Sequence, residues 1–264
     1  MRTLPLLAAL AIATASSVPA RAQGGQAAPA TPPTARAAAP IDLTGQWVSV
    51  ITEDWRWRMV TPPKGDYQSV PITAEAKRVA DMWDPAKDTA AGEQCRSYGA
   101  AGLMRLPIRA RISWVDDNTL KVESDAGMQS RLLYFAPKKP PAGRAGWQGD
   151  SVATWEVARG AEAPPSGGGP AGVQQQAQRN GTLQVVTARM RPGYLRKNGV
   201  PYGADAVLTE YWDVYRRDNG DQWLVITTSI EDAKYLQGQY LTTPNFRKET
   251  DTSKWNPTPC SATW

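Results

Sequence analysis

The sequence predicts an all-β protein in which eight or nine antiparallel strands form a barrel. Two observations support this prediction. Short segments rich in β-branched and aromatic residues follow one another along the chain, and Gly, Pro, Asn and Asp separate most of them. An antiparallel sheet of this size is expected to close, because open edges promote aggregation. A barrel of about eight strands is just wide enough to hold one small ligand.

The N-terminus predicts a secretory signal peptide over residues 1–22. Arg2 precedes the apolar run Leu4–Ala13, and Ala20-Arg21-Ala22 is a small-x-small cleavage site. The run is shorter than the roughly 20 apolar residues that a bilayer span needs. We therefore expect cleavage after Ala22 and export to a bacterial periplasm or beyond, with an uncleaved anchor as the alternative. No later segment is apolar enough to predict a membrane span.

The mature chain is predicted to start with a disordered leader, residues 23–39, composed almost entirely of Ala, Gly, Gln, Pro and Thr. One barrel domain then occupies residues 40–264. A second low-complexity stretch, residues 159–180, is predicted to be a disordered insertion between two strands. The tail, residues 231–264, is Pro-rich and predicted to be irregular.

The predicted strands follow the β-former segments in chain order. They cover Thr44–Ile51, Asp54–Val60, Ile108–Val115, Thr119–Ser124, Met128–Phe135, Ser151–Ala158, Thr182–Met190, Ala206–Tyr215 and Gln222–Ile230. The last two are joined by Arg217–Gly220, where Asn-Gly is a strong hairpin signal. One short helix is predicted over Ala74–Trp83, with Thr73 as its N-cap and Asp84-Pro85 after its end.

Charge and histidine content exclude several classes of function. Removing Arg2 and Arg21 with the signal leaves 28 of 30 basic residues against 25 acidic ones, a net charge of +3. The basic residues are scattered, so nucleic acid is not an expected partner. The chain has no histidine, which excludes the commonest general base and metal ligand. We expect no metal and no cofactor, and any catalysis must use carboxylates, Tyr, Lys, Arg or a metal bound by carboxylates.

The two cysteines, Cys95 and Cys260, are an even pair in a chain that is expected to be exported. An oxidising compartment favours a disulfide between them, with two free thiols as the alternative.

The segment Asp42-Leu43-Thr44-Gly45-Gln46-Trp47 resembles the start of a lipocalin-type (calycin) barrel. In that family a Gly-x-Trp on the first strand places the indole across one end of the barrel. A disulfide from the tail to the barrel wall is also common there, which agrees with pairing of Cys95 and Cys260. The resemblance implies a barrel that binds a small molecule.

Three further stretches resemble a family of exported bacterial proteins of unknown function that is at most described as lipocalin-like. They are Asp54–Met59, Arg191–Tyr202 and Trp255–Cys260. This resemblance extends over most of the mature chain, and it implies no activity and no site residues.

Tryptophan dominates the aromatic residues, with 11 Trp against 2 Phe. A Trp-rich barrel can bind a flat, apolar ligand, although the same rings can simply fill the core. The sequence offers six candidates for the cavity wall: Trp47, Trp55, Trp57, Trp114, Tyr211 and Trp223.

Strand parity predicts the polar candidates. If Trp47 faces inward, unbroken alternation places Glu53 on the same side, where indoles would raise the pKa of its carboxyl. A bulge at residues 52–54 would reverse the orientation of the residues that follow it. The alternative for Glu53 is an ion pair with an Arg at the barrel rim. Glu210 and Tyr211 lie on opposite faces of one strand, and parity does not select which faces inward. An inward Arg189 would suit a ligand carboxylate or phosphate, and an outward one would be a surface residue.

We therefore predict an exported barrel that binds a small, largely apolar molecule, anchored by Glu53, Arg189 or Glu210. The first alternative is an isomerase, hydratase or lyase that uses a carboxylate–Tyr pair, such as Glu53 or Glu210 with Tyr211. The second is an envelope interaction protein, which an exposed apolar patch in place of a cavity would favour.

Overall fold

A computed structural model of the chain describes residues 32–157 and 181–263. The predicted signal peptide, part of the predicted leader and the predicted insertion at 159–180 lie outside the described residues.

The described residues are mostly β-strands. The strands are β1 Gly45–Val50, β2 Arg109–Asp116, β3 Thr119–Ser124, β4 Ser130–Phe135, β5 Asp150–Val157, β6 Gly181–Ala188, β7 Gly193–Tyr194, β8 Pro201–Tyr202, β9 Val207–Arg216, β10 Gln222–Glu231, β11 Tyr240–Thr242 and β12 Asn245–Glu249. The helices are α1 Ala35–Ala38, α2 Trp55–Arg58, α3 Ala74–Asp81, α4 Pro85–Ala90 and α5 Ala100–Leu103, with 3-10 turns at Gln94–Tyr98 and Thr252–Lys254.

Nine strands close into a barrel in the order β1-β2-β3-β4-β5-β6-β9-β10-β12, and β12 pairs with β1 to complete the ring. A ring of nine strands cannot alternate in direction all the way round. The necessary parallel pair is β4–β5, and the other barrel pairs are antiparallel. The predicted all-β barrel of eight or nine strands is confirmed.

One end of the barrel, where β1 begins, is closed by the segment before β1. The Trp47 indole is fully buried there and donates to the Leu43 carbonyl at 2.8 Å. The Trp155 indole donates to the Ala35 carbonyl at 2.8 Å, which ties α1 to the same end. Residues 35–38 are therefore a packed helical turn, although they were predicted to belong to the disordered leader.

The opposite end, where β1 finishes, is closed by α3 to α5 and the β7–β8 hairpin. A second apolar cluster fills this end and joins hairpin residues to the ends of β9, β10 and β11; its members include Leu195, Val200, Tyr202, Leu208, Ile230 and Tyr240. Cys95 in a 3-10 turn and Cys260 in the tail form a disulfide at this end, so the predicted pairing is confirmed.

Two predicted elements are wrong. Asp54–Val60 was predicted to be a strand, but Asp54 adopts a left-handed conformation (φ 51°) and the chain continues into α2. Successive helical residues point about 100° apart, so alternation does not apply there. The tail was predicted to be irregular, yet β11 and β12 both pair with β10, and β12 closes the barrel. The described residues also contain several short helices where one was predicted.

Candidate functional site

The barrel interior is filled by its own side chains. Ten inward-facing apolar residues are fully inaccessible to solvent: Trp47, Ala110, Leu120, Leu133, Leu183, Val185, Trp212, Leu224, Ile226 and Phe246. The partly buried Trp114 packs on Phe135, with ring centroids 5.6 Å apart. Trp47 and Trp114 were predicted to line a cavity, and they instead form part of the hydrophobic core. The structure thus offers no space for a ligand between these side chains.

The interior also holds one ion pair. Arg131 on β4 and Glu210 on β9 approach to 2.5 Å, and their side chains are 2% and 1% exposed. Arg131 also donates to Ser151 and Thr187 at 2.9 and 2.5 Å. Glu210 is therefore the member of the Glu210 and Tyr211 pair that faces inward, beside Leu208 and Trp212, but its carboxylate binds Arg131 rather than facing an open cavity.

An apolar cleft on the outside of the barrel wall brings together several residues that the sequence singled out. We call it the outer groove, and it has a volume of about 610 Å³. Its lining consists of Val48, Ser49, Val50, Ile51, Trp55, Met59, Trp223 and Arg247. Two of the predicted tryptophans, Trp55 and Trp223, therefore meet at one site, although they lie far apart in the sequence.

The outer groove follows from the alternation of β1 and the shortness of α2. Trp47 faces inward, so Val48 and Val50 face outward, and Val48 lies in register with Arg247, which pairs with Trp223 on β10. Trp55 and Met59 are four residues apart, which places them on the same face of α2. Trp55 is 67% exposed and Met59 is 48% exposed, so both apolar side chains are largely accessible to solvent.

The outer groove contains one cation. The Arg247 side chain is exposed and makes no ion pair or hydrogen bond within the described residues. The Trp223 indole N–H is buried and likewise has no hydrogen-bond partner among these residues. The groove thus combines two indoles and aliphatic walls with an arginine that forms no ion pair within the described residues. Such a surface suits an apolar molecule that carries one anionic group.

Behind α2, Glu53 and Asp54 face two buried arginines. Arg105 donates to Asp54 at 2.8 Å, and the Glu53 carboxylate lies 3.6 Å from Arg105 and 3.8 Å from Arg58. Burial, together with the neighbouring charge of Arg105, lowers the pKa of Arg58 to about 10, against the opposing effect of Glu53. Of the two positions considered for Glu53, beside indoles or paired with an Arg, the structure agrees with the second.

The remaining predicted residues lie on the outside of the wall or at its edge. Arg189 leaves β6 with a left-handed backbone (φ 53°) and pairs with Asp150 at 2.9 Å, so alternation no longer points it inward. The Tyr211 hydroxyl accepts from Gln184 at 3.0 Å on the face opposite Glu210. The predicted catalytic pair of Glu210 and Tyr211 is therefore separated by the barrel wall.

The Trp57 ring lies between α2 and the β7–β8 hairpin, where Arg196 stacks on it.

A different carboxylate–Tyr pair does form. The Tyr194 hydroxyl donates to Asp88 at 3.0 Å, and Arg96 donates to both groups at 2.9 and 3.0 Å. Burial raises the pKa of the Tyr194 phenol, and Arg96 opposes this shift. Because the Asp88 carboxylate already binds Arg96, we interpret Asp88, Arg96 and Tyr194 as a structural contact that joins α4 to β7.

Lys197 gives the fold a specific pH dependence. Lys197 is 2% exposed, its ammonium group donates to the Tyr98 hydroxyl at 2.8 Å, and burial lowers its pKa to about 8 from 10.5. Between these two values the unfolded chain binds more protons than the folded one, so stability rises with pH. We expect the free energy of unfolding to rise by about 1–3 kcal/mol between pH 8 and 10.

Urea unfolding at several pH values tests this expectation. The Lys197→Met variant should lack this rise, because methionine carries no titrating group. The prediction fails if the native chain and the variant show parallel curves between pH 8 and 10.

Among the described residues, no group of three or more His, Cys, Asp or Glu side chains is arranged to hold a metal ion. The helices in the same part of the chain are all too short or too polar to cross a membrane. Searches of protein-family models, curated proteins and solved structures find no match for this chain.

Proposed function

We propose that the chain is an exported, lipocalin-like barrel protein that binds a small, largely apolar molecule with one anionic group in the outer groove. The observation that carries this proposal is the convergence of Trp55, Trp223 and the unpaired Arg247 on one cleft of about 610 Å³. Ligand sites in proteins commonly have volumes of about 300–1,000 Å³ and apolar walls with few polar groups. The filled interior supports a site on the wall rather than inside the barrel.

Export is part of this proposal. The short apolar run Leu4–Ala13 with its small-x-small site supports secretion. The Cys95–Cys260 disulfide agrees with an oxidising compartment such as the periplasm. The Gly-x-Trp at Gly45–Trp47 supports the lipocalin-like assignment.

Native mass spectrometry tests the binding function. The chain should be purified from its own host under gentle conditions and compared with the same sample after denaturation and refolding. We expect a retained small anion that the refolded sample lacks. A single mass equal to the bare chain in both samples would count against the proposal.

A synthetic probe tests the site. The anionic, apolar dye 8-anilinonaphthalene-1-sulfonate should bind the native chain with enhanced fluorescence. We expect Trp55→Ser to weaken the affinity at least about tenfold, because burial of a large apolar side chain contributes about 1.5–3 kcal/mol. Arg247→Gln should weaken it about twofold to fivefold, since an exposed ion pair contributes about 0.2–1 kcal/mol.

The control is Trp255→Ser, because Trp255 is a partly exposed tryptophan that stacks on Arg111 and does not line the outer groove. Equal affinity of the native chain and the Trp55→Ser variant would contradict the assignment. The effect of Arg247 should also disappear at high salt, because salt screens exposed charges.

One observation favours a second candidate, an interaction protein. Val60 is 54% exposed beside Trp55 and Met59, so the apolar surface extends beyond the groove itself. Exposed contiguous apolar patches often mark protein interfaces. A co-purifying protein that the Trp55→Ser variant loses, without any retained small molecule, would favour this second function.

A further inference from the structure

The turn that joins β7 to β8 is buried, which is unusual because connecting segments normally lie on the surface. Arg196, Lys197 and Asn198 are 4%, 2% and 0% exposed. Gly199 adopts φ +82°, and a Cβ atom there would lie only 2.3 Å from the Cβ of Trp83. The turn is therefore pressed against Trp83, and its polar side chains have to find partners inside the protein.

Two of these side chains do so. Lys197 donates to the Ser261 carbonyl at 3.1 Å in addition to Tyr98. The Asn198 amide donates to the carbonyls of Asp66 and Pro63 at 2.8 and 3.2 Å. The buried turn is thus anchored both to the C-terminal tail and to the loop before α3.

Arg196 is the exception. Its Nε, Nη1 and Nη2 atoms are all buried, and none has a hydrogen-bond partner within the part of the chain that the structure describes. Arg196 also forms no ion pair with those residues. A guanidinium remains charged at any physiological pH and presents only donors. Its burial without an acceptor is therefore highly unfavourable, and such a group needs an explanation.

The surroundings of Arg196 carry excess positive charge. The guanidinium carbons of Arg196 and Arg56 each lie 4.8 Å from the centroid of the Trp57 ring. Asp66 is the nearby carboxylate, and it already pairs with Arg56 at 2.8 Å. The Trp57 indole, with Arg56 and Arg196, holds the pKa of the Asp66 carboxyl below its usual value, so this group is a full anion. Two cations and one anion leave a net charge of +1.

We propose that Arg196, Trp57 and Arg56 form a binding site for a small oxyanion, a carboxylate or phosphate group, which pairs with the unpartnered edge of the Arg196 guanidinium. Two parallel N–H donors match two oxygens of such a group. The Trp57 ring fixes the guanidinium plane, and one negative charge neutralises the cluster. The Arg56 side chain is 57% exposed, so the cluster extends from the buried Arg196 guanidinium to the protein surface.

This site is distinct from the outer groove. Trp57 and Arg196 do not line the groove, and neither Trp223 nor Arg247 contributes to the arginine site. Removal of Trp55 should therefore leave the arginine site intact, and removal of Arg196 should leave dye binding in the groove intact. Failure of one assignment can be recognised independently of the other.

Isothermal titration of the purified chain with inorganic phosphate and, separately, with benzoate tests the proposal. We expect saturable binding of at least one anion with a stoichiometry of one. Arg196→Lys and Arg196→Met should each lower that affinity at least about tenfold, because both lose the paired donors. Arg144→Met is the matched control, since Arg144 is exposed in the loop between β4 and β5.

Tighter binding of phosphate would identify the ligand as a free or esterified phosphate. Tighter binding of benzoate would identify it as an organic carboxylate. Absence of saturable binding of both anions to the native chain would overturn the proposal. Equal affinities of the native chain and Arg196→Met would also overturn it.

Thermal unfolding separates a ligand role from a structural one. In a buffer free of both anions, Arg196→Met should unfold at or above the midpoint of the native chain, because methionine replaces an unpaired buried charge. The anion that binds should raise the midpoint of the native chain and leave that of Arg196→Met unchanged. A variant that unfolds well below the native chain in this buffer would show that the protein itself stabilises Arg196, and the proposal would fail.

Discussion

Glu210→Gln is expected to lower the free energy of unfolding by about 3–5 kcal/mol, the cost typical of removing one partner from a buried ion pair. The variant leaves the Arg131 guanidinium in the barrel interior, where its side chain is 2% exposed. The hydroxyls of Ser151 and Thr187 can accept its hydrogen bonds, but they cannot neutralise its charge. Since the strands around it are fully packed, solvent cannot enter without opening the barrel.

A double variant measured by urea unfolding provides the control. Arg131→Met with Glu210→Leu removes both charges and fills a similar volume, so the double variant should recover most of the loss. If the Glu210→Gln variant costs less than about 1 kcal/mol, the pair does not lie in a dry interior. If the double variant is as unstable as the single one, packing rather than charge explains the loss.

Removal of the Cys95–Cys260 disulfide is expected to have the second largest effect, a loss of about 2–5 kcal/mol. The two cysteines are 165 residues apart, so their bond closes a long loop in the unfolded chain. In the folded chain it fixes the tail against the end of the barrel. The Thr258 N–H donates to the Asp125 carbonyl at 3.0 Å, and the Gly127 N–H donates to the Thr258 carbonyl at 2.9 Å.

The Cys95→Ser, Cys260→Ser double variant tests this by urea unfolding beside the native chain with and without reductant. The variant and the reduced native chain should have the same lowered stability. Unfolding midpoints that agree between the oxidised chain and the double variant would contradict the expected contribution.

The strands were predictable where the alternation of residues was uninterrupted. Thr119–Ser124 was predicted with both bounds correct, and the hairpin at Asn219-Gly220 joins β9 and β10 as expected. These segments are long or end at a strong turn signal, so local sequence determines them. β12 is different, because only Phe246 among its five residues is a buried apolar residue. Its pairing depends on the exposed edges of β1 and β10, which no local pattern reveals.

The alternation of residues predicted which face a side chain occupies only within the strand itself. Leu208, Glu210 and Trp212 share the inner face, as alternation requires. For Arg189 the sequence left an inward and an outward orientation open, and alternation could not decide between them, because β6 ends at Ala188 and Arg189 itself has a left-handed backbone. A single non-glycine residue with positive φ carries no clear sequence signal. Asp54 also has a positive φ, and for this reason the alternation predicted from Trp47 onward ends there.

The candidate sites were predictable in part. The sequence singled out Trp55, Trp57 and Trp223 as aromatic candidates, and the structure places the first and third of them in one groove. Arg247 and Arg196 were missed, because an Arg within a polar segment gives no sign of lacking a partner. The sequence did contain a sign of one buried arginine, Arg105. Arg105 lies in the otherwise apolar run from Ala100 to Ile108, and a charge in such a run must be paired or functional.

The most direct test of the central claim is a two-dimensional ¹⁵N–¹H spectrum of the tryptophan indoles, recorded with and without the bound anionic ligand or dye. The chain has 11 tryptophans, so each indole N–H reports on one location. We expect the signals of Trp55 and Trp223 to shift on binding, while those of Trp47 and Trp212 in the interior stay in place. Shifts of Trp47 and Trp212, with Trp55 and Trp223 unchanged, would place the ligand inside the barrel and contradict binding in the outer groove.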